Sequence, residues 1–158
     1  MRTMLELEQI REECRKMVQQ RAVVSGVVAV VPIPGLDVGA DVAIMTRMID
    51  SINERFGLNQ QQMARLDSHS KQRLMVIISS LGSSLIGKYL SKELIVLALK
   101  RVGVRMLSKQ AVKFVPLLGS ALAAGISYGA MRMLGNSHIE DCYRVLKQMH
   151  DDELMQAG

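Results

Sequence analysis

The sequence predicts an all-α protein, and three observations support this class. Aromatic residues make up only 3% of the 158 residues, with no tryptophan, whereas β-sandwiches depend on aromatic and β-branched side chains. Proline is scarce, with three residues. Apolar residues recur at helical spacing, and no segment shows a convincing period of two. We therefore expect a single compact helical domain, 1–158, of five to seven helices.

The first helix is predicted to span about residues 3–30. Apolar residues recur at helical spacing up to Arg21, and beyond it the sequence is apolar on all sides, which predicts burial on every side or insertion in lipid. Pro32 and Pro34 then end this element, because proline lacks the backbone donor and restricts the residue before it.

The second helix carries the clearest amphipathic stripe. Asp37 is a favourable N-cap, and Gly57 is placed to end the helix. Steps of three and four residues define the buried face, which is Val38, Val42, Met45, Ile49, Ile52 and Phe56.

Capping signals predict the remaining helices. Asn59 and Gln62 form a capping box for a third helix, which we expect to run to Leu81 with Leu66 on its buried face. A fourth helical stretch is expected over 85–106. Pro116 suits the first turn of a fifth helix that closes at Gly135-Asn136, and a second capping box, Ser137 to Glu140, begins the last helix.

These elements give three regions: an amphipathic start of the first helix (1–21), an apolar and basic core region (22–135), and a C-terminal amphipathic helix and tail (136–158). A V-P-x-x-G sequence occurs twice, at 31–35 and 115–119, each time opening a helix rich in small residues. Because small side chains permit close backbone approach, we expect these two helices to form a central pair, with Gly125 and Gly129 at the contact.

Basic residues concentrate in the middle of the chain. Residues 60–135 contain 11 bases and 2 acids, a net charge of +9 within a total of +5. This charge favours an anionic membrane surface or an acidic protein, with a solvated helix face as the alternative. Nucleic acid is disfavoured, since no aromatic side chains interleave with the bases. The residues predicted to form this basic patch are Lys88, Lys92, Lys100, Arg101, Arg105, Lys109 and Lys113.

Motifs for catalysis are incomplete. The string at 82–89 resembles a phosphate loop, but Tyr89 stands where a Mg²⁺-binding hydroxyl is required. His138 and Cys142 share a helix face at a spacing of four, yet two ligands do not make a metal site. We therefore expect no enzyme activity, no cofactor, no metal and no nucleotide binding.

The compartment is expected to be the cytoplasm, since Cys14 and Cys142 do not suggest a disulfide framework and no secretory signal opens the sequence. The longest charge-free run, 114–131, has 18 residues and contains a proline. It lies at the lower limit for a membrane span, so buried core helices are favoured over spans.

Two blocks of the sequence resemble the helical segment that follows the GTPase domain in the immunity-related GTPases. The first block has a P-x-P-G entry at Pro32, Pro34 and Gly35, then Asp41, then Phe-Gly-Leu at 56–58. In the second block, an F-x-P-L-x-G-S entry is followed by D-x-x-R-V-L at 141–146; the entry residues are Phe114, Pro116, Leu117, Gly119 and Ser120. Bacterial membrane-associated helical domains of unknown function, some fused behind small GTPase domains, show a less specific similarity.

The resemblance implies a helical architecture, association with membranes and service to a separate GTPase. The nucleotide-binding domain of that family is not in this sequence, so GTP hydrolysis is assigned to no residue. We expect a non-enzymatic helical module that binds a membrane surface peripherally, a protein partner, or both. The alternatives left open are a membrane-inserting effector or pore-forming protein, and a homo-oligomer.

Overall fold

All five helices with defined bounds confirm the all-α prediction. The computed structural model describes residues 2–30, 37–83, 85–87, 93–95, 97–98 and 119–157. For residues 25–30, 37–41 and 119–127 it describes the backbone alone. The helices are α1 (Met4–Val30), α2 (Asp37–Phe56), α3 (Gln60–Ala64), α4 (Ser68–Leu81) and α5 (Gly119–Ala157). These described ranges contain no strand.

The first two helices begin and end close to the predicted residues. At the start of α1, Thr3 and Glu6 cap each other: the Thr3 amide donates to the Glu6 carboxylate (2.7 Å), and the Glu6 amide donates to the Thr3 hydroxyl (3.2 Å). The predicted stripe of α2 is confirmed from Val42 to Phe56, since Val42, Met45, Ile49, Ile52 and Phe56 are all buried. The helix gives way to Gly57, whose φ is +76°.

The segment predicted as one third helix is two helices. The capping box of Asn59 and Gln62 is present and starts α3. A second cap follows at once, because the Asp67 side chain accepts from the Ser70 amide and starts α4. Leu66 therefore lies between two helices and is 37% exposed, so its predicted place on a buried face is wrong.

Gly82 ends α4 in the left-handed conformation, with φ of +67°, which glycine adopts without strain. The next described residues, 85–87, form a turn, whereas we expected a helix from residue 85. The side chains of Leu85 and Ile86 are nevertheless buried. Most of the predicted fourth stretch, 85–106, lies outside the described residues.

The helix α5 runs without interruption for 39 residues, so the predicted break at Gly135-Asn136 is wrong. Gly135 does not end the helix but allows close packing of α5 against other helices. A Cβ atom built on Gly135 would lie 2.7 Å from both γ-methyl carbons of Val18 and 3.0 Å from the Met48 terminal methyl. Glycine at this position therefore allows α5 to pack closely on α1 and α2 while the helix continues.

The chain divides into two compact units. The first comprises 1–15, 49–89 and 137–158. Its core is aliphatic with little aromatic content, as the composition predicts, and Phe56 and Tyr143 are its buried aromatic residues in the described part of the chain. Apolar side chains buried in this unit include Leu7, Ile52, Leu58, Met63, Leu74, Ile78, Ile139 and Val145.

The second unit comprises 16–48 and 90–136. Its described buried side chains are Val18, Ala22, Val42, Met45, Met48, Ile95, Ala130, Met131 and Leu134. Within the same unit, Val23 is 50% and Val24 53% exposed. Burial on every side of α1 beyond Arg21 is therefore not observed at these two positions.

The predicted central pair of small-residue helices falls largely outside the described residues. Pro32, Pro34, Gly35 and Pro116 are not described. At a further four positions, Asp37, Asp41, Gly119 and Gly125, the structure describes a helical backbone but no side-chain environment. Gly129 is helical and of intermediate burial. The central pair stays a prediction.

Replacing Gly135 by alanine tests the close packing of α5. Overpacking a buried contact costs about 1–3 kcal/mol, whereas the gain in helix propensity over glycine is about 1 kcal/mol. We expect the packing cost to exceed the gain in propensity, with a net loss of up to about 2 kcal/mol in the free energy of unfolding. Both γ-methyl groups of Val18 lie at the contact, so rotation of this side chain leaves one of them in the same space. Urea unfolding followed by circular dichroism measures this loss.

The control is the same substitution in a Val18→Ala background, which removes both methyl groups. There, Gly135→Ala should cost clearly less than it does alone. Equal losses in the two backgrounds would show that the Val18 contact does not explain the glycine.

Candidate functional site

Three residues of the first unit form a buried polar cluster: Asn53 of α2 and His138 and Cys142 of α5. The His138 Nε2 atom lies 2.8 Å from Asn53 Oδ1. The Cys142 sulfur is 3.6 Å from the same nitrogen and 3.7 Å from the same oxygen. Asn53 and His138 are each only 2% exposed. This composition matches that of cysteine nucleophile sites, so its hydrogen bonding decides what it can do.

The hydrogen bonds fix the histidine tautomer. The Asn53 amide nitrogen donates to the Leu85 carbonyl (3.2 Å), which leaves the amide oxygen facing His138. Since that oxygen can only accept, Nε2 of His138 must carry the proton and donate it. The basic nitrogen is then Nδ1, which is buried and without a hydrogen-bond partner among the described residues. The nitrogen next to Cys142 therefore cannot accept the thiol proton.

Burial also opposes the formation of a Cys142 thiolate. It raises the pKa of Cys142 well above its ordinary value, with a further increase from the nearby Asp141 carboxylate and Cys14. It also lowers the pKa of His138 to about 4. A cysteine nucleophile requires the opposite arrangement, a thiolate stabilised by a positive neighbour. The cluster is a neutral hydrogen-bonded element of the core, and it lacks the properties of an active site.

Charged side chains join α1 and α5 at the surface of the same unit. Arg11 donates to both carboxylate oxygens of Glu140, at 2.9 and 2.7 Å, and Arg15 adds a third bond at 2.8 Å. The Arg11 guanidinium lies over the Tyr143 ring, 4.6 Å from its centroid, and the Tyr143 hydroxyl donates to Glu8. Partial burial would raise the pKa of Glu140, but the two arginines outweigh it and hold that pKa below its usual value.

An open cleft of about 450 Å³ lies between α4 and the last third of α5, also within the first unit. Its lining residues are His69, Gln72, Arg73, Val76, Ile77 and Ser80 on α4 and Gln148 and Asp152 on α5. Arg73 extends towards α5, with Nη2 3.9 Å from Asp152 and Nη1 3.5 Å from Gln156. The lining combines apolar Val76 and Ile77 with one charged residue on each helix, Arg73 and Asp152. Sequence patterns missed it because it depends on two helices far apart in the chain.

The sequence-predicted residues are distributed unevenly over the structure. All seven residues of the basic patch, from Lys88 to Lys113, lie outside the described residues, so the patch stays a prediction. The apolar run before the string at 82–89 is the second half of α4, whereas a phosphate loop follows a β-strand. Gly82 in that string caps a helix.

The described part of the chain holds no group of three or more His, Cys, Asp or Glu side chains placed to bind a metal ion. Among those same residues, no helix has the length and apolar character required to cross a bilayer.

The pH dependence of stability tests the buried neutral histidine. Its pKa is about 4 in the folded protein and 6.5 in the unfolded chain, so the unfolded state binds more protons below pH 6.5. Stability is therefore lost as the pH falls from 6.5 towards 4. Between pH 7 and 5 we expect a loss of about 2 kcal/mol in the free energy of unfolding, measured by urea titration.

His138→Gln is the matched variant, since it keeps a donor for Asn53 but does not titrate. The variant is expected to start less stable, and its stability should vary much less between pH 7 and 5. The carboxylates with lowered pKa values, such as Glu140, lose their contribution only at lower pH. A wild-type slope unchanged in the variant would contradict the buried neutral assignment.

The bidentate ion pair is tested by Glu140→Gln. The substitution removes the charge that Arg11 and Arg15 share while it preserves the side-chain shape. We expect a loss of about 1–2 kcal/mol, because hydrogen bonds to charged groups are worth more than neutral ones but this site is partly exposed. Glu12→Gln is the control, since this exposed carboxylate accepts from Arg15 alone. Comparable losses of stability in both variants would show that the contact of Glu140 with Arg11 and Arg15 contributes no more than an exposed ion pair.

Comparison with known proteins agrees with the resemblance seen in the sequence. The family model described as a domain of unknown function, DUF697, matches residues 3–155. Two relatives, both named interferon-inducible GTPase 5, from Rattus norvegicus and Bos taurus, are 27% identical over 153 residues. The alignments cover 93% of this chain and 33% of each relative, so the chain spans about a third of their length. No solved structure matches the chain.

The match is to part of proteins that are named as GTPases, and the buried Asn53, His138 and Cys142 side chains of this chain form a neutral hydrogen-bonded cluster. The family model extends over almost the whole sequence, from residue 3 to residue 155 of 158. The chain therefore belongs to the DUF697 family.

Proposed function

We propose that this domain is a non-enzymatic helical module that binds an anionic membrane surface and serves a GTPase, located in another protein or elsewhere in the same polypeptide. One observation carries the proposal. The chain matches about a third of the length of proteins that are named as GTPases, but its own sequence lacks a complete phosphate loop. The part of such a protein outside its nucleotide site is suited to localisation and contact.

The absence of catalytic chemistry in the buried cluster supports this reading. His138 and Cys142 are the residues of the described part that come closest to a nucleophile and its base, and their tautomer and pKa directions oppose that use. Function is then expected at surfaces, through charge and apolar contact.

Charge supports the membrane as one of these surfaces. The net +9 of residues 60–135 is opposed by acidic flanks, so the positive charge is concentrated in one stretch of sequence. Each well-placed Lys or Arg contributes roughly 1 kcal/mol of attraction to an anionic bilayer. No helix in the described residues could span the bilayer, which favours a peripheral mode for this part of the chain.

Vesicle flotation tests the proposal. We expect the domain to float with phosphatidylserine-containing vesicles, to stay behind with pure phosphatidylcholine vesicles, and to dissociate in high salt. Neutralising two bases of the patch, in Lys100→Gln with Arg101→Gln, should weaken binding by about 30-fold, which corresponds to roughly 1 kcal/mol for each base.

Arg144→Gln with Lys147→Gln is the matched control, because it removes two positive charges from exposed positions of α5. Equal weakening by both double variants would indicate a dependence on total charge and contradict a patch. Protein that remains with the vesicles after a carbonate wash would favour the membrane-inserting alternative, since peripheral proteins are released.

A further inference from the structure

The α4 wall of the cleft leaves apolar surface uncovered. The helix has 14 residues but buries only Leu74, Ile77 and Ile78 among them. Val76 lines the cleft and is 63% exposed, and its neighbour Met75 is 48% exposed. Single exposed apolar residues are common on protein surfaces, but here an exposed valine stands over a concave site whose base is the buried Ile77.

The end of α5 that faces α4 also exposes apolar side chains. Leu154 is 59% and Met155 78% exposed. Met155 follows Asp152 by three residues, so it lies on the helix face that borders the cleft. Methionine and valine on opposite sides of a groove are suited to contact the apolar stripe of a helix, because methionine adapts to irregular surfaces.

Arg73 gives the cleft an unsatisfied donor. Its Nη1 atom reaches Gln156 at 3.5 Å, and its Nη2 atom is 3.9 Å from Asp152, both at the outer limit of such contacts. Nη2 is buried and donates no hydrogen bond within the described residues. The Arg73 side chain as a whole is 20% exposed, so a rotation of its guanidinium group can bring Nη2 to a carboxylate that enters the cleft. This hydrogen bond would be favoured, because a buried donor without a hydrogen bond costs free energy.

We propose that this cleft binds an amphipathic helix of a protein partner, with apolar residues against Val76, Ile77 and Met155 and a carboxylate that accepts from Arg73. The length of α4, about 21 Å, corresponds to three to four turns of a partner helix. Charge disfavours a lipid surface here, because Asp152 lines the α5 side of the cleft and Asp151 and Glu153 are next to it in sequence, although Lys147 pairs with Asp151. Carboxylates at this position repel anionic headgroups. The same acidic residues favour a basic residue on the partner helix one or two turns from its carboxylate.

This docking surface goes beyond the proposed function and does not depend on membrane binding, since its test contains no lipid. Displayed random peptides of about 15 residues, close to the 14 residues of α4, are selected on the wild-type domain and depleted on the bare support. We expect enrichment of sequences with apolar residues at i, i+3, i+4 and i+7 and an Asp or Glu beside them. One synthetic consensus peptide then serves as the probe for dissociation constants, by fluorescence anisotropy.

Val76→Asp should weaken binding of that peptide by at least about tenfold, whereas Leu5→Asp should not. Leu5 is a matched control because it is 71% exposed on α1 and does not line the cleft. Arg73→Gln should weaken the acidic peptide by about tenfold but hardly change the affinity of the same peptide with its carboxylate replaced by an amide. This coupling separates recognition by Arg73 from a general loss of structure.

Four results would overturn the proposal. The first is that the selected peptides lack helical apolar spacing, and the second is that Val76→Asp and Leu5→Asp weaken peptide binding equally. The third is that the domain self-associates in sedimentation without any peptide and that Val76→Asp abolishes this association. The fourth is that the domain binds vesicles and that Val76→Asp abolishes this binding. The third result would assign the cleft to a second copy of the chain, and the fourth to lipid.

Discussion

The hydrogen bond from His138 to Asn53 is the constraint on which the first unit depends. The Asn53 side chain accepts from α5 and donates to the backbone at Leu85, so one amide joins three segments. Apolar contacts between the surrounding Ile, Leu and Met residues are not directional, and a helix could shift by a turn with limited loss. A buried polar group left unpaired costs about 1–3 kcal/mol, and only one helix register satisfies this one.

The same bond determines what the interior can do chemically. Because the Asn53 oxygen accepts a hydrogen bond from the Nε2–H group of His138, it fixes a tautomer in which the nitrogen beside Cys142 has no free lone pair. Burial then keeps the histidine neutral and the thiol protonated. A histidine and a cysteine four residues apart thus act together as packing and hydrogen-bonding groups. The proposed roles of the domain accordingly lie at its surface.

Sequence periodicity predicted α2 well, because the members of its stripe from Val42 to Phe56 are all buried. The capping box at Asn59 was equally readable, since its hydrogen bonds are local. The uninterrupted α5 was missed because Gly135 and Asn136 resemble a helix end, whereas Val18 and Met48, distant in sequence, determine the role of this glycine. Asn53 left a signal, a polar residue beside Ile52 and Phe56 in a buried stripe, but its partners come from other segments. The cleft left none, because α4 and the end of α5 meet only in the tertiary structure.

The distribution of polar groups explains why the cleft, and not the core, is suited to recognition. In the interior, both the nitrogen and the oxygen of the Asn53 amide have hydrogen-bond partners, which fix its position. At the cleft, Arg73 makes two long contacts, and its Nη2 atom, 3.9 Å from Asp152, has no hydrogen bond within the described residues. Its side chain can therefore gain a hydrogen bond to an incoming group. Val76 and Met155 likewise leave apolar area in contact with water, which a partner would bury. The cleft thus has both a donor without a hydrogen bond and exposed apolar side chains. Binding there is favoured, because a partner can supply both the missing acceptor and the missing apolar contact.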